Sequence, residues 1–277
     1  MKTVRLNNGV EMPQIGYGVY QVSPSECERC VSNALECGYR MIDTAQAYHN
    51  EEGVGKAVKN SGIKRNEIFI VSKVWISNYG YENARKSIDE SLKKLQTDYI
   101  DLMLLHQPFC DRYGAYRALE EAYKEGKLRA IGVSNFYPDH FIDIASNMEI
   151  IPAVNQVETH VFNQQIEAQK IMEEFGTRIM SWGPLAEGRN NFFNNTILAN
   201  IGAKYGKSVA QVALRWLIQR GVIIIPKSTH IERMKENIDI FDFSLSQEDM
   251  ENIAKLDTGK SLFFDHHDAD TVRMFMG

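Results

Sequence analysis

Short apolar runs alternate with longer amphipathic segments along almost the whole chain, and this alternation constrains the fold more than any other feature. Eight strand-like runs recur, at 15–18, 41–43, 68–73, 99–106, 130–134, 153–158, 178–182 and 222–226. Apolar residues at helical spacing fill most of the intervals, as in YENARKSIDESLKKL and SVAQVALRWLIQRG. A strand followed by a helix, repeated eight times in about 250 residues, predicts parallel strands closed into an α/β, (β/α)8 TIM barrel.

Three segments are expected to lie outside the strand–helix units of this barrel. The opening segment MKTVRLNNGVEM contains Asn-Gly among its turn residues and predicts a small β-hairpin. Segments 190–202 and 257–277 do not follow the strand–helix rhythm, and we interpret them as an insertion after the seventh strand and a C-terminal tail. No linker, low-complexity run or block of charge divides the chain, which predicts a single domain over residues 1–277.

The alternative architecture is an open, doubly wound sheet that binds a dinucleotide through a glycine-rich turn. The pair Gly16-x-Gly18 is followed by Gln21 where the motif requires a third glycine. The pair Gly55-Lys56 lacks both the earlier glycine and the following Ser or Thr of a phosphate-binding loop. Because both phosphate motifs fail, the barrel is favoured.

Charge and hydropathy limit the classes of partner. The net charge is −5 and the isoelectric point is about 5.9, so there is no basic footprint for nucleic acid. The N-terminus has no apolar signal segment, and no run approaches the length that spans a bilayer. We therefore expect a cytoplasmic protein whose partner is a small molecule, with a monomer as the default state.

Four cysteines are present, at Cys27, Cys30, Cys37 and Cys110. The Cys27-x-x-Cys30 spacing invites a metal or redox interpretation, but it lies in a predicted helix with no second cysteine pair and no histidine nearby. We expect reduced, structurally ordinary thiols and no metal site.

Titratable residues follow three successive strand-like runs, where barrel enzymes place their active sites. Asp43 ends the second run and Tyr48 lies in the loop after it, Lys73 ends the third run, and His106 ends the fourth. Each also has an ordinary structural interpretation. Asp43 could cap the next segment, Tyr48 could be a loop aromatic, Lys73 could form a structural ion pair with Asp43, and His106 could be a core histidine. Because they follow adjacent strands, all four side chains are expected to meet at the same open end of the barrel. A buried Lys73 needs a counter-charge, which Asp43 on the neighbouring strand can supply.

The same residues carry a resemblance to the aldo-keto reductase superfamily. MIDTAQAYHNEEGVGKAV resembles its first signature, and IFIVSKVW, LMLLHQP, GKLRAIGVSNF, AVNQVE and IPKSTHIERMKENI are similar to later blocks in the same order. The resemblance extends from about residue 6 to residue 255 and is nearest to the prokaryotic branch that includes 2,5-diketo-D-gluconate reductases.

The resemblance implies a catalytic tetrad of Asp43, Tyr48, Lys73 and His106. Hydride transfer to a carbonyl leaves negative charge on its oxygen, which Tyr48 would protonate. Lys73, held by Asp43, is expected to lower the pKa of Tyr48 from its ordinary value of about 10. His106 would donate a hydrogen bond that orients the carbonyl oxygen.

The resemblance also implies an NADPH/NADP+ site without a glycine-rich loop. Polar side chains would hold the carboxamide, an aromatic would stack on the nicotinamide, a loop would pass the pyrophosphate, and cations would surround the 2′-phosphate. The residues for the carboxamide are Ser134, Asn135 and Gln156, and the stacking aromatic is Trp182, where many members have Tyr. The pyrophosphate loop is 184–188, which includes Leu185. The residues around the 2′-phosphate are Lys227, Ser228 and Arg233, with Glu236 and Asn237 near the adenine. A solvated helix N-terminus is the alternative interpretation of Lys227 and Arg233.

Three aromatic residues, Tyr20, Trp75 and Phe109, follow the first, third and fourth runs and are expected to line a substrate pocket together with His106. Simple packing at the barrel mouth is their alternative interpretation. Three positions depart from the family pattern and bear on the substrate rather than on the reaction: His49, Gln107 and Val161 stand where Gly, Trp and Pro are common.

The sequence therefore predicts an NADPH-dependent reductase of aldehydes or ketones, with keto-sugars and α-dicarbonyls among the substrates considered. Two other functions stay open at this point. One is a cofactor-binding sensor or accessory subunit of the same fold with little turnover. The other is a metal-dependent barrel hydrolase or isomerase, which would need clustered His and carboxylate ligands at several strand ends.

Overall fold

The computed structural model describes residues 2–276 and contains eight parallel strands in chain order around one sheet. They are β3 (Tyr17–Gly18), β4 (Met41–Asp43), β5 (Phe69–Val74), β6 (Leu102–Leu105), β7 (Ile131–Ser134), β8 (Val154–Glu158), β9 (Arg178–Trp182) and β10 (Ile223–Ile224). A parallel bridge between Ile15 and Ile224 joins the last strand to the segment that leads into the first. The predicted (β/α)8 barrel is confirmed, and each of the eight strand-like runs overlaps one strand.

The predicted hairpin is also present, as the antiparallel pair β1 (Thr3–Arg5) and β2 (Glu11–Pro13). The hairpin turn is closed by a hydrogen bond from the Leu6 amide to the Val10 carbonyl, at 2.9 Å. Leu6 and Met12 are buried in an apolar cluster with residues near the starts of the strands, among them Phe69 and Leu102. The hairpin thus covers the N-terminal end of the barrel and leaves the other end for the site.

Eleven α-helices lie in the part of the chain that the structure describes. They are α1 (Pro24–Glu36), α2 (Glu51–Asn60), α3 (Tyr81–Leu95), α4 (Arg112–Lys124), α5 (Pro138–Asn147), α6 (Ile166–Glu174), α7 (Thr196–Tyr205), α8 (Val209–Gln219), α9 (Ile231–Ile238), α10 (Gln247–Ala254) and α11 (Ala269–Met276). Local sequence explains several boundaries: Pro24 opens α1, and Ser208 with Gln211 forms a capping box at α8.

The glycine pairs that resembled phosphate motifs serve close packing. A Cβ on Gly55 would lie 2.6 Å from the Leu95 backbone, because α2 and α3 touch there. A Cβ on Gly18 would lie 3.0 Å from the Ile225 carbonyl oxygen, where the first strand passes the end of the last. Both positions therefore need glycine for backbone approach.

The segment at 190–202, interpreted from the sequence as an insertion after the seventh strand, contains helical structure. It contains a short 3₁₀ turn (Phe192–Asn194) and most of α7, whose first turn is capped by the Asn195 side chain. Phe192 and Leu198 are fully buried. The run of asparagines concealed this helix because asparagine favours caps and turns in the absence of tertiary contacts.

All four cysteines are free thiols in the structure. Cys27 and Cys30 face the core from α1, and burial raises the pKa of Cys27 to about 12. Their apolar setting gives an ordinary packing role to the Cys-x-x-Cys spacing. No helix within residues 2–276 is long and apolar enough to cross a membrane.

Candidate active site

A cleft of about 740 Å³ opens at the C-terminal ends of the barrel strands. Three predicted catalytic residues line it, namely Asp43, Tyr48 and His106. Lys73 is fully buried directly behind them. Of the remaining predicted site residues, the cleft is lined by Tyr20, Trp75, Ser134, Asn135, Gln156, Trp182, Leu185 and Lys227. The strand ends therefore bring together most of the residues that the sequence indicated.

Lys73 and Asp43 form a buried ion pair at the base of the cleft. The Lys73 Nζ lies 2.6 Å from Asp43 Oδ1 and also donates to the Thr44 carbonyl at 2.9 Å. The other carboxylate oxygen accepts a hydrogen bond from Gln156 Nε2 at 2.8 Å. Because the strands β4 and β5 are adjacent, the predicted counter-charge is in place, and its hydrogen bonds offset the cost of desolvation.

Tyr48 ends a 3₁₀ turn (Gln46–Tyr48), after which His49 adopts a left-handed conformation at φ 55°. The Gln46 side chain anchors this turn, since its oxygen accepts from the Trp75 amide at 3.0 Å and from Asn78 Nδ2 at 2.9 Å. Gln46 is a positioning residue that the sequence analysis did not single out. In the sequence, the one indication of its importance is its position within the segment MIDTAQAYHNEEGVGKAV, which resembles the first family signature.

The structure reverses the expected direction of the Tyr48 pKa. Burial, with smaller contributions from the Asp43 carboxylate and Tyr20, raises the pKa of Tyr48 well above 10. The Lys73 Nζ lies 5.0 Å from the centre of the Tyr48 ring, but only 2.6 Å from Asp43, so its charge is largely balanced by the carboxylate. Tyr48 is therefore a neutral phenol over the physiological range and holds a proton to donate.

His106 follows β6, where its amide donates to the Val74 carbonyl at 3.1 Å. Its ring meets the edges of Tyr48, at 5.6 Å between centroids, and of Trp75, at 5.0 Å. Burial, then the charge of Lys73, lowers the pKa of His106 well below 6.5, so the imidazole is neutral. Its Nδ1 is buried and has no hydrogen-bond partner within residues 2–276. A neutral imidazole beside a neutral phenol suits the binding of an uncharged carbonyl oxygen.

Neutral polar side chains form the wall beyond His106. Ser134 Oγ donates to the Gln156 carbonyl at 2.9 Å, and Asn135 Nδ2 donates to the His106 carbonyl at 3.0 Å. Asn135 Oδ1 accepts from the indole nitrogen of Trp182 at 2.8 Å. Amides beside an indole plane fit an uncharged aromatic carboxamide such as nicotinamide, whose polar group pairs with amides while its ring stacks.

A cation lines the cleft after β10, the strand that neighbours β9. Lys227 is exposed and lines the cleft after β10. Ser228 is buried beneath it, and its carbonyl accepts from Tyr17 Oη at 2.6 Å. Arg233 is exposed on α9 and makes no side-chain hydrogen bond or ion pair with the described residues. Three other predicted cofactor residues also lie outside the cleft lining, namely Ser228 itself, Glu236 and Asn237, the last of which is buried.

Phe109, a predicted pocket residue, is covered in this structure. It does not line the cleft, because the C-terminal segment lies over it. Its ring packs 6.1 Å from His266 and 5.9 Å from Phe275, measured between centroids. Tyr20, by contrast, is about half exposed and packs 5.0 Å from the Tyr48 ring.

The C-terminal segment supplies the pocket residues that the sequence analysis missed. Phe263, Phe264, Met274 and Phe275 all line the cleft. Phe263 packs against Trp182 at 5.0 Å, and Phe264 lies nearly parallel to that indole at 6.1 Å. These side chains give the cleft an apolar surface at the mouth of the barrel.

Glu158, at the end of β8, holds this segment in place. Its buried carboxylate accepts from the Leu262 amide at 2.9 Å and from the Ser261 hydroxyl. Arg189 donates to the Leu262 carbonyl at 2.8 Å and lies over the Phe263 ring. No signal in the sequence joins Glu158 to residues about a hundred positions later.

The metal-dependent alternative requires clustered ligands. Within the described part of the chain, no group of three or more His, Cys, Asp or Glu side chains is arranged to hold a metal ion. His106 and Asp43 are separated by Lys73, as the strand order implies.

Comparison with known proteins places the chain in a family. The model of the aldo/keto reductase family matches residues 8–258. The chain is 49% identical over 256 residues to the glyoxal reductase of Bacillus subtilis (strain 168), covering 92% of each chain. It is 42% identical over 262 residues to the methylglyoxal reductase DkgA of Escherichia coli (strain K12), covering 94% of each.

Solved structures agree with this assignment. An aldo-keto reductase enzyme from a deep-sea metagenome library superposes with a TM-score of 0.94 at 42% identity, covering 96% of this chain and 99% of that one. A putative 2,5-diketo-D-gluconic acid reductase B superposes with a TM-score of 0.91 at 38% identity, covering 96% of this chain and 95% of that one. A Bombyx mori aldo-keto reductase in complex with NADP superposes with a TM-score of 0.90 at 32% identity, covering 98% of this chain and 96% of that one. The chain therefore belongs to the aldo/keto reductase family of oxidoreductases.

Proposed function

We propose that this protein reduces aldehydes and ketones to alcohols with NADPH, and that Tyr48 is the proton donor. The observation that carries the proposal is the placement of Tyr48 beside His106, at 5.6 Å between ring centroids, and 5.0 Å from the Nζ of Lys73, which is paired with Asp43. Bound NADPH supplies the hydride that the carbonyl carbon accepts. Tyr48 gives its proton to the carbonyl oxygen, and Lys73 stabilises the negative charge that develops on the phenol oxygen.

The cofactor assignment is supported by the chemistry of the cleft and by a relative. Ser134, Asn135 and Gln156 would bind the carboxamide, and Trp182 would stack on the ring. Lys227, which follows β10, and Arg233 on α9 would bind the 2′-phosphate that distinguishes NADPH from NADH. The Bombyx mori relative was solved with NADP.

Small α-dicarbonyls are the substrate class we propose, because relatives are named for glyoxal and methylglyoxal. Keto-sugars are the second class to test, given the likeness to a 2,5-diketo-D-gluconic acid reductase B. The experiment is NADPH oxidation followed at its absorbance with a panel of aldehydes, α-dicarbonyls and keto-sugars. Turnover with none of them, in a folded protein that binds NADPH, would instead support the cofactor-binding sensor or accessory subunit.

The raised pKa of Tyr48 predicts how reduction depends on pH. Since the phenol stays protonated until the pH exceeds its raised pKa, kcat for reduction should not fall between about pH 6 and pH 9, below the ordinary tyrosine pKa of about 10. The check is kcat under saturating NADPH and substrate across this range. A decline with a midpoint in that range, in a protein that stays folded, would show that Lys73 lowers the pKa in the cofactor complex, as the sequence first indicated.

Arg233→Ala is expected to weaken NADPH binding by about 10- to 150-fold, the loss of one charge-assisted hydrogen bond. NADH lacks the 2′-phosphate, so its dissociation constant should change little. Fluorescence titration with both cofactors measures the two constants, and Lys235→Ala, an exposed cation on the same helix, is the matched control. Equal weakening of both cofactors by Arg233→Ala would mean that Arg233 acts through packing.

A further inference from the structure

Gln107 is a cleft residue whose backbone cannot move freely. It follows His106 directly, lines the cleft and is 4% exposed. Tyr79 Oη accepts from the Gln107 amide at 3.1 Å and donates to its carbonyl at 2.7 Å. These two hydrogen bonds fix the backbone of Gln107, and with it the position of the side chain beside His106.

His266, from the C-terminal segment, fixes the other end of that side chain. Its Nε2 lies 2.9 Å from Gln107 Oε1, and the ring is buried between Phe109 and Phe275, nearly parallel to both. Burial, then the neighbouring His267, lowers the pKa of His266 to about 4, so the imidazole is neutral near pH 7.

The tautomer of His266 follows from its surroundings. A neutral imidazole carries one N–H, and Nδ1 is buried without a partner within residues 2–276. Gln107 Oε1 can only accept, so the proton lies on Nε2 and is donated to Gln107. Because the Gln107 oxygen accepts from His266, the NH₂ group of the same side chain is the donor available to a ligand in the cleft. That NH₂ group has no hydrogen-bond partner among the described residues.

We propose that Gln107, oriented by His266, is a specificity-determining residue that donates a hydrogen bond to a second oxygen adjacent to the reacting carbonyl. This inference rests on the proposed function and narrows it to substrates with oxygen on the neighbouring carbon, such as α-dicarbonyls. The C-terminal segment that supplies His266 adds apolar side chains to the same cleft, namely Phe264, Met274 and Phe275. A substrate without the second oxygen would leave the Gln107 donor desolvated and unpaired, which costs binding energy in the transition state.

Two substitutions of Gln107 test the donor. Gln107→Leu removes the amide at similar volume. Gln107→Glu keeps an acceptor for His266 but offers no donor to the cleft. The substrates are methylglyoxal and propanal, which share a carbon skeleton and differ by the second carbonyl. We expect the ratio of kcat/KM for methylglyoxal to kcat/KM for propanal to fall about three- to tenfold in both variants, the worth of one hydrogen bond. Each substrate is its own reference between wild type and variant, so differences in reactivity and hydration cancel.

His266→Phe tests the orientation. Phenylalanine can retain the stacking on Phe109 and Phe275 but donates nothing to Gln107, whose amide is then free to turn. The same ratio should fall in this variant, by less than in Gln107→Leu. A packing role alone would lower kcat/KM for both aldehydes together and leave the ratio unchanged.

The outcomes separate this inference from the proposed function. If wild-type protein reduces both aldehydes and the ratio is unchanged in Gln107→Leu and Gln107→Glu, the role of Gln107 is wrong while the reductase assignment stands. If His266→Phe fails to fold, the two Gln107 variants still decide the point. If the wild type reduces neither aldehyde, the proposed α-dicarbonyl substrate class and this inference both fail, and the wider panel with keto-sugars decides the reductase assignment.

Discussion

Tyr48→Phe is expected to lower kcat for carbonyl reduction by about 10²- to 10⁴-fold, the range for loss of a general acid. The substitution removes one hydroxyl and keeps the ring that packs against Tyr20 and His106. Because the proposed nicotinamide site is built from other residues, the dissociation constant for NADPH should stay nearly the same. Single-turnover kinetics with NADPH and methylglyoxal, together with a fluorescence titration of the cofactor, give both values.

Tyr116→Phe is the matched control for this loss. Tyr116 lies on α4, is fully buried, and donates to the Ile150 carbonyl at 2.9 Å outside the cleft. Its removal costs about 1 kcal/mol of unfolding free energy, as for one hydrogen bond, and should leave kcat unchanged. Near-normal turnover in Tyr48→Phe would exclude Tyr48 as the acid. The proton would then have to come from His106, whose lowered pKa makes it a poor donor near neutral pH.

Lys73→Met is expected to cause the second large effect, on stability and on activity together. Asp43 would remain as a buried charge without its partner, which lowers the free energy of unfolding by about 3–5 kcal/mol. In the proposed mechanism Lys73 stabilises the developing phenolate of Tyr48, so kcat of the variant should also fall by about 10²- to 10³-fold, as for other preorganised charges. Chemical denaturation and steady-state kinetics measure the two losses separately.

The double variant Asp43→Asn, Lys73→Met separates the two roles of this pair. It contains no unpaired charge, and the new amide can still accept from Gln156, which donates to Asp43 in the wild type at 2.8 Å. Most of the lost stability should therefore return, while kcat should stay low. Recovery of both properties in the double variant would reduce Lys73 to a structural partner of Asp43 and leave Tyr48 without an activating charge.

The strand–helix rhythm and the predicted tetrad illustrate what local sequence can reveal. Burial on both faces of a parallel strand produces a short apolar run, and the barrel helices produce apolar residues at helical spacing, so both elements are visible without tertiary information. Parallel strands all end at one rim, so residues that follow successive runs meet there. Asp43, Tyr48, Lys73 and His106 can therefore be grouped by their positions along the chain, and the cleft contains or adjoins all four.

Contacts between distant segments could not be predicted in this way. His266 and Gln107 are 159 positions apart, and Leu262 lies 104 positions after Glu158. Residues 257–277 carry no strand or barrel-helix periodicity of their own, so the sequence did not indicate that Phe263, Phe264 and Phe275 would form one side of the cleft. The same docking explains why Phe109 is covered rather than exposed to substrate.

The sequence by itself determined the barrel, its hairpin and the identity of the chemical groups at the strand ends, because these follow from short-range periodicity and from the common direction of parallel strands. Only the tertiary structure decided the shape of the pocket and the protonation of its residues. The pKa of Tyr48 depends on how deeply the ring is buried and on how fully Asp43 balances the charge of Lys73, and both are sums over neighbours from separate parts of the chain. Such sums exist only once the chain has folded and its C-terminal segment has closed over the rim.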